Sequence, residues 1–329
     1  MNLRQLRYFT QTIEAGNITR AAEMLRVAQP SLGLQIRVLE RELGIPLLIR
    51  HSRGVSPTEA GTLLYERSIE ILGLVEATRQ EVISQGQKTR ETVILGLTNG
   101  TAALLGRDIL RNVSETIPTL QLSVVEEMSP VLVDALERNE VDIALAYDVA
   151  ERSGLMRIPL MSEEVLFVRS AGDGSEEVPI SFADMLRQPL VLPNERDVIR
   201  QQLQKIADSM TLPLRIGFEV SSISMLKQMV ADGGMASVMP YASVVEEVRR
   251  GLLHARRIVD PAPSRTLYLI RSLRRAHFKH DGDLIDYLNT ALWGFCEALG
   301  DLAEPLPAMR TKLSTVASDY VSEAFVIKR

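Results

Sequence analysis

Between Thr19 and Arg53 the chain gathers the side chains best suited to grip a polyanion and sort its bases. Gln29 can pair with adenine N6 and N7, Ser31 can serve several bases, and Leu34 can rest on a thymine methyl. Arg37, Arg41, Arg50 and Arg53 lie further along and suit phosphates. Thr19 and Arg20, at an expected helix N-terminus, are further phosphate candidates, and Pro30 shares the same exposed turn as Ser31. For Arg41 the competing reading is a solvated charge paired with Glu40 or Glu42. All eight cations in residues 1–60 are arginines, whose planar fork fits phosphate and guanine edges. Against five glutamates they give +3, so a chain of net −5 carries −8 elsewhere. A locally basic segment on an acidic body points to nucleic acid. Its charge is modest, so tight binding calls for more than one copy.

The elements that must position these residues read as a helix-turn-helix. A helix over Arg4–Ala15 comes first. A short helix follows, with Thr19 as N-cap and Ala21, Ala22 and Leu25 inside, then a break at Val27–Ala28. The next helix has Pro30 at its first position, where a missing N–H costs nothing. Leu32, Ile36, Leu39 and Leu43 recur at intervals of 4, 3 and 4, which predicts one buried stripe. The opposite face then carries Pro30, Leu34, Arg37 and Arg41, flanked by Ser31 and Val38. Gly33 and Leu34 bring no polar donors to the reading turn, which predicts few direct hydrogen bonds to bases and more readout through DNA shape. Gly44–Pro57 combines turn residues with Arg50, His51 and Arg53 and suits a two-stranded wing. From Thr58 to about Gln87 no proline occurs, and Leu64, Ser68, Ile71, Val75, Thr78 and Val82 repeat at 4-3-4-3-4. That pattern predicts a helix packed along a partner, or else along its own domain. Gly86-Gln87-Lys88 then makes a hinge.

Beyond the hinge, strand and helix patterns alternate. Strands are expected at Val93–Leu97, Leu120–Val125, Val141–Ala146, Val165–Val168, Leu190–Leu192, Ile216–Val220, Ala236–Met239 and Thr266–Ile270. The alternation predicts α/β architecture with largely parallel sheets. Crossings are expected near Pro159–Ser162 and Asp260–Arg265, with a closing helix over Gly282–Leu299. Thr98-Asn99-Gly100-Thr101 follows the first strand and opens a helix. Its hydroxyls, amide and backbone N–H groups suit a carboxylate or other small anion. Gly96 and Gly100 do not form the G-x-G-x-x-G spacing of a dinucleotide site. Ser129, Pro193, Asn194, Ser221 and Ser222 are the other loop positions expected at the same crevice. Each alone reads equally as a helix cap.

Other candidates carry less. Met225, Met229, Met235 and Met239 read as core filler rather than a thioether cluster. His277 and His280 with Asp281 and Asp283 read as a solvated segment rather than a metal site. The single cysteine, Cys296, excludes an internal disulfide and is expected to be buried on the last helix. No Ser/His/Asp order or close acid pair suggests catalysis, so neither cofactor nor metal is expected. The apolar runs are too short to span a membrane, and MNLRQLRYF lacks the core of a secretory signal, so the cytoplasm is the expected location.

Here the motifs meet a family. Leu6, Phe9 and Ile13, the Ala21-Ala22 pair, Gln29-Pro30-Ser31, Leu39-Glu40, Leu43-Gly44, Leu47, Arg50, Arg53 and Thr58-Glu59-Ala60-Gly61 resemble the N-terminal domain of LysR-type transcriptional regulators. The match runs over most of the first 65 residues. It departs at Gly33 and Leu34, where a Ser and an Arg or Gln are usual, and at Leu48 and Pro57, where Phe and Leu are common. The segment Ile49–Gly61 is similar to regulators of nitrogen or sulfur assimilation.

The resemblance implies a mainly α winged helix-turn-helix domain over 1–60 and a dimerising linker helix over 61–90. It further implies a periplasmic-binding-protein-like α/β effector domain over 91–300. Two subdomains are expected there, one from 91–161 and 266–300, the other from 162–265. Residues 301–329 extend past the usual end, and a frayed or partner-packed helix is expected for them. The implied partners are double-stranded promoter or operator DNA, a carboxylate or other anionic effector, further copies in a homodimer or homotetramer, and RNA polymerase. In the family, positions such as Thr98–Thr101, Ser129, Pro193, Asn194, Ser221 and Ser222 line the effector pocket. A solute-binding protein or a cytosolic enzyme using the α/β crevice is the competing reading.

Overall fold

The computed structural model describes residues 1–51, 54–85, 91–152, 154–173, 178–273 and 278–326. The first helix, α1 (Leu3–Ala15), starts one residue earlier than expected. Asn2 and Gln5 close a capping box there, each side chain accepting the other's backbone N–H. The second helix, α2 (Ile18–Met24), is capped by Asn17 rather than Thr19. The Asn17 side chain accepts the Thr19 and Arg20 N–H groups at 2.8 and 3.3 Å. Then α3 (Gln29–Leu43) begins behind Ala28, which puts Pro30 at the second helical position, still among the N–H groups a helix leaves unpaired. Leu32, Ile36 and Leu39 are fully buried against Phe9, Ala21, Ala22 and Leu47. Leu43 departs from the predicted stripe and is 41% exposed, because the helix ends beside it at Gly44, which takes φ +71.

The wing pairs β1 (Leu48–His51) with β2 (Gly54–Pro57) antiparallel, Leu48 opposite Pro57. Two ties fix it to the helices. Glu40 on α3 accepts the N–H groups of Leu47 and Leu48 at 2.9 and 3.2 Å. Val55 donates its N–H to the Gly16 carbonyl at 2.9 Å, and the backbones meet so closely that a Cβ at Gly54 would lie 2.1 Å from that oxygen. The long helix α4 (Glu59–Gln85) follows, opened by Thr58, whose Oγ1 accepts the Gly61 N–H. The hinge residues Gly86-Gln87-Lys88 lie outside the described residues.

The larger unit is two-lobed. Its first lobe begins with β3 (Glu91–Leu97), α5 (Asn99–Thr101), a π-helical turn over Ala102–Gly106, α6 (Arg107–Thr116), β4 (Leu120–Glu126), α7 (Ser129–Glu137) and β5 (Ile143–Tyr147). The chain crosses on β6 (Leu155–Ser170) into β7 (Ile180–Ser181), α8 (Phe182–Met185), β8 (Leu190–Leu192), α9 (Val198–Ser209) and β9 (Ile216–Glu219). The second lobe continues with α10 (Ile223–Ala231), β10 (Ala236–Pro240), α11 (Tyr241–Arg249) and β11 (Leu253–Val259). The return runs through β12 (Ser264–Ser272), α12 (Asp281–Leu299), β13 (Ala303–Pro305) and α13 (Leu313–Val326).

The strand order is β4-β3-β5-β12-β6-β10-β8-β9. Pairs β3–β4, β3–β5, β8–β9 and β8–β10 are parallel, whereas β12–β5, β6–β10, β6–β11 and β6–β13 are antiparallel. The sheets are therefore mixed rather than largely parallel. The reason is β6: the crossing expected near Pro159–Ser162 is made by one continuous strand, pairing Met161–Glu163 with β13 and Val165–Ser170 with β10 and β11. Among the described residues after 300, the chain packs on α12 rather than fraying. Met309 and Leu313 are buried, Asn289 and Trp293 of α12 donate to the Met309 carbonyl, and Asp286 accepts the Ser314 N–H and hydroxyl. No helix of the described residues is long and apolar enough to cross a membrane.

Candidate nucleic-acid interface and ligand cleft

On the head, Gln29, Pro30, Leu34, Arg37, Val38 and Arg41 are exposed along one side of α3, and Ser31 is half-buried. The buried Leu32–Ile36–Leu39 row holds the opposite side in the core, so helix periodicity alone turns this face outward. Arg50 is exposed on β1, while Arg53 lies outside the described residues. Thr19 and Arg20 are exposed, but their N–H groups are taken by Asn17, so any phosphate contact there falls to their side chains. Arg41 is solvated, but the pairing with Glu40 or Glu42 in its competing reading is not made. Glu40 is spent on the wing's N–H groups, and Glu42 pairs with the N-terminal amine of Met1.

The larger unit contains a cavity of about 220 Å³ where loops after β3, β4, β8, β9 and β10 converge. Of the residues predicted for it, Thr98, Asn99, Gly100, Ser129, Pro193 and Ser221 line it. Three predicted residues do not. Thr101 is fully buried with its hydroxyl 2.6 Å from that of Thr98. Asn194 donates to the Ser221 hydroxyl at 2.9 Å and accepts the Arg196 N–H. Ser222 caps α10 by accepting the Met225 N–H. The last two are the helix-cap and turn roles that competed with ligand binding in the sequence. The lobes touch beside the cavity, where a Cβ on Gly100 would come within 3.1 Å of the Ser243 hydroxyl.

Sequence reasoning missed the cavity's charged groups: Glu126, Glu127, Asp197 and Arg265. Glu126 accepts from the Asn99 amide at 2.8 Å. Asp197 caps α9 by accepting the Ile199 and Arg200 N–H groups, and burial raises its carboxyl above the ordinary range. Arg265 is buried, ion-paired with Glu163 at 2.9 Å and stacked 3.5 Å over the Tyr147 ring. Burial is the largest single influence and works against its charge, but Glu163, Tyr147 and Asp197 together outweigh it and hold the guanidinium above its ordinary value. Tyr147 donates to the same carboxylate at 2.6 Å, and burial followed by that negative neighbour pushes its phenol well above the usual range. The Tyr147 N–H donates to the Ser129 Oγ. No local signal marks Arg265, since its partner lies 102 residues away. Glu126-Glu127 at a strand's end was legible as loop charge but not as lining.

Among the four methionines, Met239 is buried and Met229 and Met235 pack against the second lobe's core, but Met225 is 53% exposed. Asp281 is not solvated as expected; it is buried and paired with Arg271. His280 contacts Thr119 and Asp283, and His277 lies outside the described residues. Groups of three or more His, Cys, Asp or Glu able to hold a metal are absent among the described residues. Cys296 is buried on α12, and burial pushes its thiol up to about 11.

Residues 3–62 match the family described as the bacterial regulatory helix-turn-helix protein, lysR family, and residues 86–293 match the LysR substrate binding domain. The nitrogen assimilation regulatory protein nac of Klebsiella aerogenes is 33% identical over 83% of this chain and 90% of its own length. The structure of a full-length OxyR point variant from Pseudomonas aeruginosa superposes with TM-score 0.52 at 23% identity, over 83% of this chain and 90% of that one. Full-length BenM gives TM-score 0.53 at 23% identity, over 91% and 97%. Both structures share the fold.

Proposed function

The chain belongs to the lysR family of bacterial transcriptional regulators, and from that premise we propose a dimeric or tetrameric, sequence-selective repressor or activator switched by a small effector. The head over 1–60 enters the major groove with α3, residues 61–90 join two copies, and residues 91–300 hold the effector. Gln29, Ser31 and Leu34 meet base edges, with Pro30 shaping their turn. Arg37, Arg50 and Arg53, with the side chains of Thr19 and Arg20, meet phosphates. The observation that carries this reading is the outward row of α3, which holds two exposed arginines and a 52%-exposed leucine opposite the buried Leu32–Ile36–Leu39 row.

The linker helix supports assembly. Leu64 packs on the head's own core and Ser68 is buried, so the predicted stripe begins inside the domain. Further along, Leu63, Ile71, Leu74 and Val82 are 46%, 36%, 69% and 68% exposed. At about 100° per residue they fall within an arc of about 100°, an apolar strip fit for a second copy. In the cleft, an anionic group of the effector meets Arg265 and the Ser129 and Thr98 side. RNA polymerase is the partner through which the bound regulator acts. A gel-shift assay with DNA upstream of its own and of any divergent neighbouring gene tests the reading. A sequence-selective shift is expected, and none with or without metabolites overturns it.

A further inference from the structure

We propose that the cleft recognises a zwitterion of the amino-acid type, its carboxylate on Arg265 and its ammonium between Glu126 and Glu127. This rests on the effector reading above and narrows it. The lining carries three carboxylates, Glu126, Glu127 and Asp197, against a single cation. That cation is already matched, because Nε and Nη2 of Arg265 both donate to Glu163. A simple anion would therefore enter a cavity of surplus negative charge, which the guanidinium alone cannot offset.

The two kinds of charge nevertheless each keep unused capacity. Nη1 of Arg265 makes no hydrogen bond among the described residues, although the side chain is only 7% exposed. A charged donor left over on a residue that lines a cavity suits an anionic acceptor there. On the other side, Glu126 is engaged only through the neutral Asn99 amide, and neither Glu126 nor Glu127 makes an ion pair among the described residues. Asp197 is spent on the N-terminus of α9. An ammonium satisfies the glutamates with three donors, and a carboxylate satisfies the arginine. The space suits such a molecule, being about seven times the roughly 30 Å³ share of one water. The apolar remainder of the wall, Val238, Met239, Leu226 and Ile223, is left for an aliphatic side chain.

The test uses the full-length chain in calorimetric titrations with the protein amino acids, each alongside its des-amino carboxylate and its decarboxylated amine. At least one amino acid is expected to bind, with both analogues weaker by about tenfold to a hundredfold, the range for removing one charge-assisted hydrogen bond. Arg265→Gln strips a buried glutamate of its partner and can unfold the lobe, so the exposed Glu127→Gln is the second variant. It is expected to weaken the amino acid about tenfold while the des-amino analogue, relieved of one repelling carboxylate, binds no more weakly than before. Equal or tighter binding of the des-amino carboxylate, or an unchanged amino-acid affinity in Glu127→Gln, overturns the zwitterion and leaves the effector reading standing. If no compound of the panel binds while the chain still shifts its operator, the zwitterion falls and DNA recognition survives.

Discussion

Replacing Leu74 by Asp should separate the copies without unfolding either. Leu74 is 69% exposed on α4, so most of its side chain has no partner within one chain. Full burial of a leucine is worth about 1.5–3 kcal/mol, which leaves about 1–2 kcal/mol to be gained at a second copy's surface. A two-fold interface presents the residue twice, which gives about 2–4 kcal/mol. The dimer dissociation constant should therefore rise by about thirtyfold to a thousandfold, before any like-charge repulsion is added. Sedimentation equilibrium across a concentration series reads this directly, and a parallel thermal melt of dilute protein checks that each copy still folds. A dissociation constant within about threefold of the parent would refute the assignment of the exposed strip to assembly. A collapse of the melt would show instead that Leu74 serves its own chain.

Three further outcomes follow from the geometry. Arg37→Ala should lower the slope of log affinity against log salt by about 0.9 for each phosphate left unneutralised, or about 1.8 per dimer, and an unchanged slope in an anisotropy titration removes Arg37 from the phosphates. Gly54→Ala places a Cβ 2.1 Å from the Gly16 carbonyl at φ +140, so urea melts of the head should show a destabilisation of about 2–4 kcal/mol, and a neutral result would mean the wing is not tied there. Cys296 should react with iodoacetamide at least about a hundredfold more slowly than an ordinary thiol near neutral pH, since its thiol sits near 11 rather than 9.0. The sign follows from the raised value: the buried protonated thiol favours folding below pH 9.0, and that contribution fades as pH climbs through about 11.

What could be read from the chain was whatever depended on near neighbours. The Leu32–Ile36–Leu39 spacing turned the arginine face outward because three buried side chains on one helix leave the other side no choice. Thr98, Gly100 and Ser129 were findable because a strand end and a helix start are both written locally. Thr19 lost its capping role to Asn17 because the helix starts two residues earlier, and Asn and Thr are both favoured caps that pattern does not rank. The strand Leu253–Val259 was hidden by Arg256, which occupies an inward position and donates to the Val178 carbonyl, so a buried arginine interrupted the apolar alternation. The crossing near Pro159–Ser162 was legible, but the expected strand Val165–Val168 is only the end of β6, which begins at Leu155. Glu163 is fully buried because Arg265 and Tyr147 arrive from distant segments to meet it. The cleft's charge balance was likewise invisible, since it is set by which glutamates face inward and not by how many there are.

The measurement closest to the central claim is selection of binding sites from random duplex DNA by the full-length protein, followed by sequencing. Two heads on one dimer should enrich an inverted repeat whose half-sites are centred about one helical turn apart, or a multiple of it, and Leu34→Arg should alter the enriched half-site. Enrichment of no motif, or of a motif unchanged by substitution at Leu34 and Gln29, would contradict the placement of α3 in the major groove.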